Sequence, residues 1–181
     1  MFEPLGHTTP DFDHDTLRKL AGKATNHGLA TGIEVGSWVG STALTLTPYF
    51  DKLFCVDTFK GNPRTHLETI ANAAEDGEVF QIFCANIGNY LMDRIIPCIG
   101  TSLDWAKVWP YPVDFIFIDA DHEYENVLAD IEAWEPHCKN ILCGHDYSRI
   151  FPGVVSAVRD SFEHKRIKVE GTVWWVDVSN E

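Results

Sequence analysis

Residues 114–127 read DFIFIDADHEYENV. An apolar run, Phe115 to Ile118, stops abruptly at Asp119, and Asp121 and His122 follow at once. A short apolar run bounded by polar residues suits a strand buried on both faces, as in a parallel sheet. In such a sheet ligands sit beyond the carboxyl ends of the strands, so the polar half of this stretch falls where chemistry is expected.

The pattern repeats in both directions. GIEVG (Gly32 to Gly36), LFCVD (Leu53 to Asp57), IIPCIG (Ile95 to Gly100) and NILCGHD (Asn140 to Asp146) read as further short strands. Helical segments are expected at Asp13 to Lys23, Gly40 to Tyr49, Thr65 to Ala74, Phe83 to Met92, Thr101 to Val108, Tyr124 to Trp134 and Gly153 to Phe162. Asp13 or Asp15 is the expected cap of the first. Val127, Leu128, Ile131 and Trp134 share one face of their helix. RIKVEGTVWWVDV reads as a hairpin turning at Glu170-Gly171, with Trp174 and Trp175 on opposite faces of its second strand. Five strands separated by helices imply an α/β fold, a parallel sheet doubly wound by helices, with the hairpin as an antiparallel edge. One domain over residues 1–181 is expected, with an N-terminal helical segment at 1–30 and a variable insert at 60–94.

The chain of 181 residues is 45% hydrophobic, enough for a packed core. Its formal net charge is −13 with only 14 Lys and Arg, which argues against nucleic-acid or anionic-membrane partners. No apolar stretch is long enough to span a bilayer. The start, MFEPLGHTTPDFDHD, is acidic and lacks the apolar core of a secretory signal. Five scattered cysteines with no CxxC pair suit a reduced, cytoplasmic protein.

The strand ends carry Glu34, Asp57, Gly100, Asp119 and Asp146. In IEVGSWVGSTALTL, Gly36 and Gly40 let the backbone approach a ligand. Their spacing is G-x-x-x-G, without the GxGxxG of dinucleotide loops or the Gly-Lys-Ser/Thr of phosphate loops. Glu34 would repel a pyrophosphate and suit a ligand bearing a cation. Asp57 can accept hydrogen bonds from ribose hydroxyls.

EVGSWVGSTALTL, VDTFKGNP, FIFIDADHEYENV and GHDYSRIFPGV, in that order, resemble the class I S-adenosylmethionine-dependent methyltransferases, in their small-molecule O-methyltransferase branch (cephalosporin hydroxylase-like, sugar or catechol O-methyltransferase-like). The resemblance runs from about Gly32 to Val158. It implies a Rossmann-like sheet of seven strands in the order 3-2-1-4-5-7-6. It implies S-adenosyl-L-methionine as cofactor, with Glu34, Gly36 and Ser41 around its amino-acid part, Asp57 on the ribose and Thr101 and Ser102 near the adenine, and with Ser37, Gly40, Thr58 and Asp119 as further cofactor-binding residues. In metal-dependent relatives an acid after the fourth strand and a consecutive pair after the fifth bind the ion. The matching residues are Asp119, His145 and Asp146, for Mg²⁺ or Mn²⁺. The usual pair is Asp-Asn or Glu-Asp, and here it is His145-Asp146.

Methyl transfer to a hydroxyl needs a general base or a metal to activate the nucleophile. His122 stands where relatives carry a Lys or His base, and its ordinary pKa suits that work. Its other reading is a helix cap. Asp121 has two roles open to it, bonding the cofactor or holding His122. A small hydroxylated metabolite or sugar is the expected methyl acceptor. The cleft is either open or closed by a second copy of the chain. The alternatives are a non-catalytic cofactor-binding partner subunit, or a nucleotide-dependent oxidoreductase on a similar sheet, which the glycine spacing and Glu34 disfavour.

Overall fold

The computed structural model describes residues 10–25, 30–61, 78–162 and 166–179. The expected helix at Thr65 to Ala74 lies outside the described residues. Seven strands form one sheet: β1 (Thr31–Val35), β2 (Lys52–Asp57), β3 (Ile95–Ile99), β4 (Val113–Ile118), β5 (Cys138–Gly144), β6 (Lys168–Glu170) and β7 (Val173–Asp177). Their order is β3-β2-β1-β4-β5-β7-β6. The first five run parallel, and β7 pairs antiparallel with both β5 and β6. This is the order implied by the resemblance, and the hairpin turns at Gly171 as expected.

The apolar runs are continuous because both faces of the sheet are covered. On one face Leu53, Cys55, Phe115, Phe117, Ile141 and Cys143 pack against α1 (Asp11–Ala24), α2 (Ser41–Leu46) and α3 (Val79–Ile87). On the other, Ile33, Val35, Val56, Ile116, Leu142 and Val176 meet α4 (Ser102–Val108), α5 (Tyr124–Trp134) and α6 (Pro152–Ser161). Burying side chains such as these is worth about 1.5–3 kcal/mol each before entropy is counted. Alternation along β7 puts Trp174 in the second layer and Trp175 against the first. Gly144 lets Trp174 in: a Cβ there would lie 2.6 Å from the Trp174 ring and from the Ile118 carbonyl.

Two helix boundaries differ from expectation for identifiable reasons. The first helix begins at Asp11 after Pro10, with no side-chain cap. Asp15 instead pairs with Arg18 in solvent, and Asp13 is completely buried. The expected helix at Phe83 to Met92 starts earlier, at Val79, because Val79, Phe83 and Ile87 form its buried stripe. It stops at Gly88, whose φ of 55° breaks the helix. By contrast Thr101 does cap α4: its Oγ1 accepts the Asp104 N–H at 3.2 Å, a contact worth about 1 kcal/mol.

Candidate active site

The loops after β1, β2, β3 and β4 enclose a cleft at the carboxyl end of the sheet. Gly36, Trp38, Asp57, Thr58, Ser102 and Asp119 are among its lining residues. Gly36 sits at φ 90°, and a Cβ on it would fall 2.3 Å from the Asp119 carbonyl oxygen. The β1 and β4 loops therefore touch, which brings Asp119 to the glycine turn.

Asp57 ends β2 with its carboxylate held by two backbone donors. Trp38 N–H donates to Oδ2 at 2.8 Å and Phe59 N–H to Oδ1 at 2.7 Å. Burial raises its pKa, and these backbone N–H groups oppose the rise. Each oxygen retains acceptor capacity, so a diol in the cleft can bond both.

Glu34 behaves differently from the strand-end acid expected. It is the penultimate residue of β1, fully buried, and does not line the cleft. Its Oε2 accepts the Cys55 thiol at 3.4 Å. Burial pushes its pKa up to about 8, only partly offset by Ser37 and Cys55. It is mainly uncharged at neutral pH, so it adds little negative charge beside the cleft. Ser37 is buried beside it. Gly40, at φ 85°, precedes α2, and Ser41 opens that helix, and neither lines the cleft. Thr58 and Ser102 do line it. Thr101 is turned to the exposed cap of α4. The Ser102 hydroxyl accepts Trp134 Nε1–H at 2.8 Å and also bonds Asp130 on α5.

Beyond Asp119 lies a chain of titratable groups. His122 Nε2 meets Asp146 Oδ2 at 2.7 Å. Asp146 Oδ1 is 3.2 Å from His145 Nδ1, which is 3.8 Å from Asp119 Oδ1. Asp146 sits at φ 59°, the left-handed region that Asp tolerates better than most residues, and this turn aims its carboxylate between the two imidazoles. Burial works to raise the Asp146 pKa, but the hydrogen bonds from His122 and His145 and their charge hold it well below the usual range. Burial pushes Asp119 up to about 7, against the pull of His145. His145 is pushed up to about 9, because Asp146, Asp119 and Asp13 outweigh its burial. His122 is raised chiefly by its bond to Asp146.

His122 does not cap α5. Its ring stacks on Phe151, with centroids 4.3 Å apart and planes 25° apart, and its side chain is 38% exposed. Asp121 directs its carboxylate to the entry of that helix. It accepts the N–H groups of His122 and Glu123 at 2.7 and 2.9 Å, and the Asn126 amide at 3.0 Å. These bonds tie the His122 loop to the start of α5. Phe59 packs against Phe80 and Phe83 in the core, while Trp38 lines the cleft.

The donor set can be tested for an ion. Ligand atoms of Asp119, His145 and Asp146 all lie within 4.8 Å of one another. Ligands about 2.1 Å from one ion lie roughly 3–4 Å apart, close to the spacings around His145 Nδ1. One imidazole nitrogen and two carboxylates fit a divalent ion, and the nitrogen favours Mn²⁺ over Mg²⁺. Sequence reasoning missed Asp13, Thr172 and Phe151 around this group. Asp13 carried only a cap signal, and Phe151 and Thr172 lie within the quoted GHDYSRIFPGV and hairpin stretches without having been singled out.

Comparison with known proteins sets this geometry in context. Residues 33–147 match the family model described as Methyltransferase domain. The O-methyltransferase from Bacillus cereus in complex with SAH shares the fold at 17% identity, covering 96% of this chain and 84% of that one with a TM-score of 0.61. The calicheamicin methyltransferase CalS11 does so at 16% identity, 91% and 78% coverage and a TM-score of 0.65. Precorrin 8W decarboxylase from Methanobacterium thermoautotrophicum is similar too, at 11% identity, 94% and 90% coverage and a TM-score of 0.64, so the fold alone does not name the reaction. No curated protein matches significantly. With its sheet order, its glycine turn beside Asp119 and a family match covering more than half its length, the chain belongs to the methyltransferase domain family and has the class I S-adenosylmethionine-dependent methyltransferase fold.

Proposed function

We propose that the protein transfers a methyl group from S-adenosylmethionine to a hydroxyl of a small metabolite or sugar, with His122 as general base. The observation that carries this reading is the 2.7 Å contact between His122 Nε2 and Asp146 Oδ2 beside the Asp119 end of the cleft. When bound, the cofactor supplies an electrophilic sulfonium methyl, and a divalent ion would lower the pKa of a coordinated hydroxyl.

The protein's own groups divide the remaining work. Asp57 holds the ribose, anchored by the Trp38 and Phe59 amides. The Gly36 turn admits the cofactor close to Asp119. Asp146 accepts the Nε2 proton of His122, leaving Nδ1 to take the acceptor proton as the new C–O bond forms and the S–CH₃ bond breaks. Phe151 stacks on the imidazole and restricts its rotation. Asp119, His145 Nδ1 and Asp146 are the residues that would hold an ion.

The test is transfer of labelled methyl from S-adenosylmethionine to a panel of sugars, catechols and hydroxylated metabolites, run with Mn²⁺, with Mg²⁺ and with excess chelator. Transfer to a hydroxyl, lowered about 10²–10⁴-fold by His122→Ala, supports the reading. Transfer only to nitrogen or carbon acceptors, or an undiminished rate in His122→Ala, overturns it. Full activity in excess chelator leaves His122 without a metal partner.

A further inference from the structure

Asp130 is a buried carboxyl that the proposed chemistry leaves without a task. It lies on α5, 6% exposed, on the helix face that also buries Val127, Ile131 and Trp134. Burying such a group is costly unless it is bonded. Burial pushes its pKa up to about 6, and the hydrogen bond from the Ser102 hydroxyl opposes the rise. The charge that acts on it, Asp121, has the same sign, so the Ser102 bond is what favours its ionised form. Above neutral pH Asp130 is therefore an acceptor and not a donor.

This decides what Ser102 can offer a ligand. A serine hydroxyl has one hydrogen and two lone pairs. The hydrogen goes to Asp130. One lone pair takes Trp134 Nε1–H at 2.8 Å, and an indole can only donate. A single lone pair remains, so Ser102 faces a ligand as an acceptor. Ser102 lines the cleft with Asp57 and Asp119, whereas Thr101 is turned to the cap of α4. A nucleoside whose ribose bonds Asp57 at the end of β2, and whose sulfur points to Asp119 at the end of β4, extends its base toward the loop after β3, where Ser102 stands. The 6-amino group is the hydrogen-bond donor on the edge of an adenine, and a 6-oxo purine carries an acceptor in its place.

We propose that Asp130 is a positioning residue that sets base specificity: by taking the Ser102 proton it fixes Ser102 as an acceptor, and so selects a 6-amino over a 6-oxo purine at the cofactor end of the cleft. This rests on the S-adenosyl cofactor of the proposed function, and not on His122 or the methyl acceptor. A 6-oxo base would set its carbonyl oxygen against an oxygen that has no hydrogen to give, leaving both unpaired.

The experiment is calorimetric titration of S-adenosylhomocysteine and of S-inosylhomocysteine, its 6-oxo analogue, at pH 8, where Asp130 is ionised. The proteins are wild type, Asp130→Leu, Ser102→Ala and the double variant. Wild type should bind the adenosyl compound about tenfold or more tighter than the inosyl compound. Asp130→Leu frees the Ser102 hydrogen to turn toward the base, and the ratio should fall to within about threefold. The ratio is the readout, because a merely structural loss lowers both affinities together. Ser102→Ala should flatten the ratio too, and adding Asp130→Leu to it should change the ratio no further. Equal affinities in wild type overturn the proposal even if the variants fail to fold. A folded Asp130→Leu protein that keeps the wild-type ratio overturns it as well. Binding of neither compound by wild type overturns it together with the cofactor assignment. The expected ratios in a protein that methylates no hydroxyl uphold the role of Asp130 and sink the proposed O-methyl transfer alone.

Discussion

At the scale of single residues, the site is a set of groups whose charges are decided by their neighbours. The Asp146 carboxylate raises His122, so the base loses its proton only above the pH of free histidine, about 6.5. The rate of methyl transfer should therefore climb with pH and level off above that value. A pH–rate profile at saturating S-adenosylmethionine checks this, and a limb that is complete below the free-histidine value would remove His122 from the proton transfer. Asp146→Asn should keep a hydrogen-bonding side chain beside His122 but lose the anion. We expect turnover to fall by about 10²-fold or more and the limb to move to lower pH. The acids at Asp57, Asp119 and Asp146 were readable from residue type and place, since they end strands that stand side by side. Glu34 occupies a similar place in the sequence, yet its surroundings differ. Only the pleat, which turns its side chain into the α1–α3 layer, makes it a buried neutral carboxyl.

At the scale of elements, the β1 and β4 loops depend on Gly36. Gly36→Ala would need a positive φ from alanine and would drive Cβ to 2.3 Å from the Asp119 carbonyl oxygen, which is backbone and cannot swing aside. A loss of about 1–3 kcal/mol is expected from the strain, and cofactor binding should suffer more than stability because the displaced group is Asp119. Thermal melting beside a cofactor titration separates the two, and an unchanged affinity would contradict the close approach. Elements were the most legible level: short apolar runs marked the parallel strands, helical periodicity marked the helices, and the Glu170-Gly171 turn marked the hairpin. The start of α1 was not legible. Asp13 reads locally as a cap, and only its contacts with His145 and Thr172, 132 and 159 residues away, draw it inside.

At the scale of the whole molecule, buried titration couples the site to stability. His145, with a pKa of about 9, and Glu34, at about 8, both bind protons more tightly folded than unfolded. The stabilisation from His145 is complete below about 6.5 and lost as pH rises through 9. That from neutral Glu34 declines from about 4.5 upward through 8. Thermal melting of the free protein should therefore drop steadily from mildly acidic to alkaline pH, and a rise over that range would contradict these assignments. No helix among the described residues is long and apolar enough to cross a membrane. That the cleft lies at the carboxyl edge followed from the parallel order of the strands, whereas the stacking of Phe151 on His122 could not be read from either stretch alone. The decisive measurement is calorimetric titration of S-adenosylhomocysteine into the wild-type protein and into Asp57→Ala, with NAD as the comparison ligand. One site per chain is expected, with affinity reduced at least about tenfold in the variant, as follows from losing charged hydrogen bonds of about 1.5–3 kcal/mol, and with no binding of NAD. Tight NAD binding, or an Asp57→Ala protein that binds S-adenosylhomocysteine as well as wild type, would contradict the assignment of this cleft.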